Sequence, residues 1–322
     1  MKKPSFLITI DTEGDNLWVR PRKITTNNSR YLPRFQALCE RYSLTPTWLT
    51  DYEMAECPIY REFAADYLKR GVGELGMHLH AWNSPPIESL TDDDWYHQPY
   101  LIEYPERIIV KKIDFMTDLL ESRFGIKPVS HRAGRWALDK RYAHHLRQRG
   151  YRVDTSVTPF TSWKGHQGDP KGNGGTDYRG FPHQPYRLDV DHIDRSGHSN
   201  LLEIPVTIVR GVTYGMKDKL PSMASRVVNR VCPYVHWLRP NGQNLNRMVG
   251  ILKQASWENW SCVTFMLHSS ELMPGGSPIF KDELAIEKLY EDLEALFEFA
   301  QDRYEGHSLS AFNELWLAEH PR

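Results

Sequence analysis

Phe6-Leu-Ile-Thr-Ile10, running into Asp11-Thr-Glu-Gly14, is the stretch that decides the fold. A continuous apolar, β-branched run with no strict polar alternation predicts a strand covered on both faces, as in a parallel sheet. The abrupt change to Asp, Thr, Glu and Gly marks the C-terminal end of that strand, so carboxylates stand at its mouth. Outward from this strand, residues 32–42 read as a helix and Thr45-Pro-Thr-Trp-Leu-Thr50 as a second short strand. Residues 59–70 are helical, and Gly71-Val-Gly73 releases them into a strand over 74–80. Strand, helix, strand, helix, strand is βαβ grammar and predicts an α/β protein.

The alternation continues. Pro85-Pro86 and Thr91-Asp-Asp-Asp94 mark a loop, and residues 107–124 form an amphipathic helix with Ile109, Ile113, Met116, Leu119 and Leu120 on one side. A strand ends near His131-Arg132, a helix over 139–149 is closed by Gly150, and Tyr151-Arg-Val-Asp154 is a strand that again terminates in a carboxylate. Residues 161–180 are rich in Gly, Asp, Lys and Asn, the composition of a long loop, and such loops inside compact domains are functional lids or disordered. Residues 185–190 and 201–206 are expected to pair as a two-stranded insertion, and 211–235 to be helical. Val263-Thr-Phe-Met-Leu-His268 is a further buried strand ending in a polar residue; a helix over 281–303 follows the Pro274–Pro278 loop, and 308–315 ends the chain's ordered pattern. No repeat, heptad or low-complexity linker divides residues 1–322, which are expected to form a single domain with a loop insertion around 161–235.

Composition narrows the function classes. The 322 residues are 40% hydrophobic and 25% charged, as in an ordinary globular protein, with 12% aromatics and 10 Trp. Such aromatics suit a carbohydrate-facing cleft, and equally a large core. A formal net charge of -1 predicts no electrostatic pull toward nucleic acid or an anionic membrane. The run at 6–10 is too short for a signal-peptide core, and no stretch approaches the ~20 apolar residues of a membrane span. Cys39, Cys57, Cys232 and Cys262 are scattered without a Cys-x-x-Cys pair, which predicts reduced thiols and a cytoplasmic setting.

Gly76-Met77-His78-Leu79-His80-Ala81-Trp82 carries the chemistry. On a strand the period of two puts His78 and His80 on one face, and two converging imidazoles can hold two corners of a zinc-like site. A His-x-His pair has few positions to match, so taken alone it divides evenly between ligands and two surface histidines. Its company raises the metal reading: Asp11, His80, Arg132, Asp154 and His268 all fall at or just beyond the C-terminal ends of apolar strands, the face that carries the active site in (β/α) barrels.

The order of these residues resembles the polysaccharide deacetylases of carbohydrate esterase family 4, the NodB-like group. "TIDTEGD" (9–15), "HLH" (78–80), "HRAGRW" (131–136), "VDTS" (153–156) and "FMLHSS" (265–270) resemble that family's five motifs in sequence order, and "TPTWLT" (45–50) resembles its second strand. Three departures stand out. Thr12 occupies the place of the family's second aspartate, with Glu13 following; the two histidines are closer together than the family's; and Gly134 replaces a proline.

The resemblance implies an irregular (β/α) barrel of the polysaccharide deacetylase type. It also implies one divalent ion near the mouth, zinc by preference, with cobalt, nickel or manganese also compatible. The activity it implies is metal-assisted removal of an N-acyl group, N-acetyl by preference, from a sugar or glycan intermediate. In that scheme Glu13, His78 and His80 hold the metal. Asp11 is the base, and Arg132 keeps it ionised and oriented. His268, which residues alone would leave as a core histidine, becomes the acid, with Asp154 fixing its tautomer. Trp82, Arg135 and Trp136 are candidate substrate contacts, Trp163 another, and Leu267 would line the acyl methyl pocket. Two other functions fit the same scaffold: an amidase or deformylase of a small non-sugar molecule, and a non-catalytic carbohydrate-binding barrel.

Overall fold

The computed structural model describes residues 3–216 and 219–321. Eleven strands are present among them: β1 (Ser5–Thr12), β2 (Thr47–Thr50), β3 (Glu74–Leu79), β4 (Ser130–Ala133), β5 (Val153–Asp154), β6 (Tyr186–Arg187), β7 (Leu202–Glu203), β8 (Ile208–Arg210), β9 (Val235–Trp237), β10 (Cys262–His268) and β11 (Glu305–His307). The main sheet runs β10-β1-β2-β3-β4-β5-β7-β6, and β11 also lies against β1. All of its pairings are parallel except β6 with β7. β1 is central and buried along its whole length, with β10 on one edge and β11 followed by β2 on the other. The β-branched run that predicted a doubly covered strand is therefore the axis of the sheet.

Closure into an irregular barrel is made without a regular ladder. The main-chain N–H of Val206 donates to Val157, that of Thr207 to Thr264 at 3.1 Å, and that of Met266 to Leu238 at 3.3 Å, which ties the far side of the sheet to β10. The antiparallel β8–β9 hairpin lies over this seam. Two expectations are corrected here. Residues 185–206 do contain an antiparallel pair, β6 with β7, but β7 also joins β5 in parallel, so the segment extends the main sheet. Residues 211–235 are not one helix: a helix spans Ser222–Val231, and the chain then turns into β9 because Cys232-Pro233 ends the helix. Positions 217 and 218 of that span lie outside the described residues.

Helices cover the outer face of the sheet. Those at Glu106–Phe124, Leu245–Trp257 and Glu283–Gln301 bury Ile109, Ile113, Met116, Met248, Ile251, Leu289 and Leu293 against the outward side chains of the strands. Their termini are chemically specified. Asp139 and Asp282 accept from Tyr142 and Ala285 main-chain N–H groups at N-termini, and Gly71, Gly125 and Gly150 take the left-handed conformation at C-termini.

Strand alternation decides what reaches the interior. Phe6, Ile8, Ile10, Trp48, Met77, Phe265 and Leu267 pack outward in the large apolar cluster shared with the helices. Leu7, Leu49, Val153, Leu202 and Cys262 form a second cluster, with Leu309 and Phe312, on the opposite face. Asp11 stands two residues beyond Thr9 and four beyond Leu7 on the same face, level with His268 across the β1–β10 ladder. An apolar base and a polar mouth follow from one period-two pattern.

Candidate active site

The mouth of the barrel gathers Asp11, Glu13, His78, His80 and His268 around one cavity of about 280 Å³. Glu13 sits just past the end of β1. Its Oε2 lies 2.9 Å from His80 Nε2 and 3.5 Å from His78 Nε2, and its Oε1 lies 2.6 Å from His268 Nδ1. The two Nε2 atoms of His78 and His80 are themselves 3.0 Å apart. Among the described residues, Glu13, His78 and His80 are the group whose donor atoms all lie within 4.8 Å of one another.

Proton counting favours a cation at this point. The Arg132 carbonyl, 3.0 Å from His78 Nδ1, can only accept, so Nδ1 carries a proton and the neutral ring presents Nε2 as a bare lone pair; burial pushes this imidazole down, but Asp11 and Glu13 outweigh it and raise it above its ordinary value, so the site favours positive charge at this point. His80 Nε2 has at most one proton, which can point at His78 or at Glu13 but not at both. With both rings neutral, three electron-pair donors converge with too few hydrogens between them. A mixed imidazole and carboxylate donor set is the chemistry that a borderline divalent ion takes. His80 Nδ1 is buried without a hydrogen-bond partner. The residues fit a metal.

Gly134 makes room for this arrangement. A Cβ there would stand 2.7 Å from His80 Nδ1 and 2.5 Å from the Leu79 carbonyl oxygen, so any larger residue collides with the His80 ring. A proline at 134 would put its Cβ in the space that the His80 ring occupies. Glu13, one methylene longer than aspartate, reaches the same donors.

Electrostatics separates the two mouth carboxylates by partner. Burial pushes the Asp11 carboxyl up, but Arg132 outweighs it, with help from His78 and His268, and holds Asp11 below the ordinary carboxylate range. Arg132 is completely buried; its Nη1 donates to Asp11, its Nη2 to Thr9 Oγ1 at 2.8 Å and its Nε to the Thr155 carbonyl at 3.0 Å. A buried guanidinium with that many partners is a fixed charge, and removing one partner of such a pair costs about 3–5 kcal/mol. Glu13 is also pushed up by burial and pulled well below its usual value, chiefly by His268 and then by His78 and His80. For His80 burial dominates and takes the imidazole down to about 4, which leaves it neutral, the form that binds metal.

Two expected site residues stand elsewhere. Asp154 does not meet His268. It is level with His131 across β4–β5, and both point to the helix-facing side, where Asp154 Oδ1 lies 2.6 Å from His131 Nδ1. The carboxylate beside His268 is Glu13. Leu267 likewise faces outward into the large apolar cluster, opposite Ile10. Met266, on His268's face, packs instead with Trp136 and Val157. In both cases a shift of one residue along a strand reverses the face.

The remaining expected contacts line the cavity. Trp82 tilts over the His80 ring at 4.4 Å between centroids, Trp136 lies beneath the Arg132 guanidinium at 4.9 Å, and Arg135 and Trp163 complete one wall. Residues not anticipated from the sequence close the other side. Trp18 stands edge-on to His268 at 5.1 Å with its Nε1 on Ser270 Oγ at 3.1 Å, and Arg239, ion-paired to Glu271, borders the same space. Asp51 lies behind the histidines, completely buried; burial, then the charge of Glu13, raises its carboxyl to about 7. Its signal was legible, since it directly follows β2 just as Asp11 closes β1.

No protein-family model matches the sequence, and no curated protein does. Solved structures do match. The chain has the fold of the polysaccharide deacetylases. A Mycobacterium smegmatis protein assigned as a polysaccharide deacetylase is similar at 15% identity and a TM-score of 0.55, covering 99% of this chain and 93% of that one. Puue allantoinase is similar at 13% identity and a TM-score of 0.50, covering 99% and 91%. The 4-α-glucanotransferase of Thermococcus litoralis shares the fold over 98% of this chain and 40% of its own, at 13% identity and a TM-score of 0.54. At these identities the likeness is one of fold. No helix among the described residues is long and apolar enough to cross a membrane.

Proposed function

We propose that the protein is a metal-dependent hydrolase that removes an N-acyl group, by preference N-acetyl, from a sugar or glycan intermediate. The observation that carries this reading is the convergence of Glu13, His78 and His80 within one tryptophan-walled cavity that also holds Asp11, fixed by Arg132, and His268. Glu13, His78 and His80 would hold a divalent ion, zinc by preference, which would supply Lewis acidity to the acyl carbonyl and lower the pKa of water near neutral pH. Asp11, kept ionised by Arg132, takes the proton of the attacking water. His268 delivers a proton to the departing nitrogen; its Nδ1 faces Glu13, which orients the ring in place of the expected Asp154. Trp18, Trp82 and Trp163 offer flat apolar faces to a pyranose. Residues 1–322 work as one domain, and four cysteines without disulfides suit the cytoplasm.

The test is amine release from a panel of N-acetyl and N-formyl sugars and one cyclic non-sugar amide, before and after chelation and metal return. The expected result is release from an N-acyl sugar, lost on chelation and restored by a divalent ion. Release from the cyclic amide alone would replace this reading with the amidase one. No release from any compound by metal-replete protein would favour a binding barrel.

A further inference from the structure

Two arginines line the catalytic cavity, and among the described residues only one of them is ion-paired. Arg239 is ion-paired to Glu271 at 2.9 Å. Arg135 has no carboxylate at ion-pair distance among the described residues. Its Nη1 donates to the Gln98 carbonyl, its Nη2 to the Gln167 carbonyl at 3.2 Å, and its guanidinium lies over the Tyr100 ring at 4.1 Å. Two of its five N–H groups donate to main-chain carbonyls, the Tyr100 side chain adds a further contact, and each of these direct partners is neutral. Glu103 is the carboxylate that acts on it from further away; its Oε2 accepts from the Tyr100 and Asp169 main-chain N–H groups at 2.7 and 3.0 Å, its buried Oε1 has no hydrogen-bond partner, and neither oxygen is at ion-pair distance from Arg135. The exposed Arg20 adds repulsion.

The backbone that aims this side chain is a costly one. Arg135 and Trp136 are consecutive non-glycine residues in the left-handed region, with φ of 54° and 64°. The conformation is over-determined from behind: Trp136 is buried and its carbonyl accepts from the Tyr178 hydroxyl. The cavity therefore has an acidic floor, Asp11 and Glu13, and a fixed cationic wall. A partly buried guanidinium with no carboxylate at ion-pair distance keeps N–H donors free for a ligand, and its planar fork matches a carboxylate or phosphate.

We propose that Arg135 is the anion subsite of the substrate cavity, so that the acylated sugar carries a carboxylate or a phosphate substituent. This rests on the N-acyl sugar reading above and narrows its substrate class. The test is calorimetric titration of the full-length, metal-bearing protein with three unreactive probes: glucose 1-phosphate, glucuronate and the neutral methyl α-glucoside. Wild-type protein should bind at least one anionic probe roughly tenfold or more tighter than the glucoside, and added salt should weaken only the anionic binding. Arg135→Gln should abolish the difference, and Arg135→Lys should keep part of it. A preference for the phosphate or for the uronate identifies the anion. Equal affinity for charged and neutral probes in wild type, no binding of any probe, or a preference that survives Arg135→Gln would overturn the subsite; should the Gln variant not fold, salt-insensitive wild-type binding overturns it instead. The probes carry no acyl group, so Arg135-dependent binding without deacylation of any sugar would discard the hydrolase reading and leave the subsite standing.

Discussion

Two histidine–carboxylate clusters lie back to back on the same sheet, and they differ in satisfaction rather than in composition. On the helix-facing side, His131 Nδ1 meets Asp154 Oδ1, His131 Nε2 lies 2.7 Å from the Tyr142 hydroxyl, and Asp154 accepts from both the N–H and the hydroxyl of Ser156 at 3.0 and 2.9 Å. On the cavity side, His78, His80 and Glu13 crowd three donors together and leave His80 Nδ1 without a partner. Both sets are buried. Burial and residue type alone would not tell structure from function here, and Glu203 Oε2, beside Asp154, is itself buried without a hydrogen-bond partner; what tells the two apart is that three donor atoms converge at one point and that a cavity adjoins them.

Breaking each cluster should therefore have different consequences. Asp11→Asn and His268→Ala are each expected to lower turnover by roughly 10²- to 10⁴-fold while metal content is kept, as measured by steady-state kinetics beside metal analysis. If Asp11→Asn instead empties the site and Glu13→Gln keeps metal but stops turnover, the two carboxylates have exchanged roles. On the other face, Asp154→Ala leaves the buried, neutral His131 ring without its acceptor and should cost about 1–3 kcal/mol of stability in denaturant unfolding, with turnover per folded molecule unchanged. A stable but inactive Asp154→Ala protein would return that carboxylate to the catalytic scheme. The smallest effect expected is that of Gly134→Ala, whose new Cβ presses on the His80 ring and should weaken metal affinity by about 10- to 100-fold, read by competition with a chelator. Wild-type affinity in that variant would show that His80 does not need its present position.

Much of this was legible in the sequence because β-branched runs and period-two alternation report directly on a doubly covered sheet. Asp11, Arg132 and His268 follow apolar runs, and strand ends open at the mouth. The signal weakens where strands shorten. β5 has two residues, too few for alternation to fix the face of Asp154; β10 has seven, and there the alternation itself puts Leu267 on the face opposite His268. The helix at Leu245–Trp257 carries Met248, Ile251, Leu252 and Ala255 at helical spacing, yet the loops around it obscured that pattern. Trp18 and Arg239 reach the cavity from loops distant in sequence, a placement that no local pattern encodes.

Metal stoichiometry tests the central claim most directly. Wild-type protein, purified and equilibrated with zinc, should retain about one ion per chain, the number a single open three-ligand site holds. His78→Ala, His80→Ala and Glu13→Ala should each lose that ion while His131→Ala, on the opposite face, keeps it in the folded fraction. An unchanged metal content in the three cavity-side variants, or its loss in His131→Ala alone, would contradict the account.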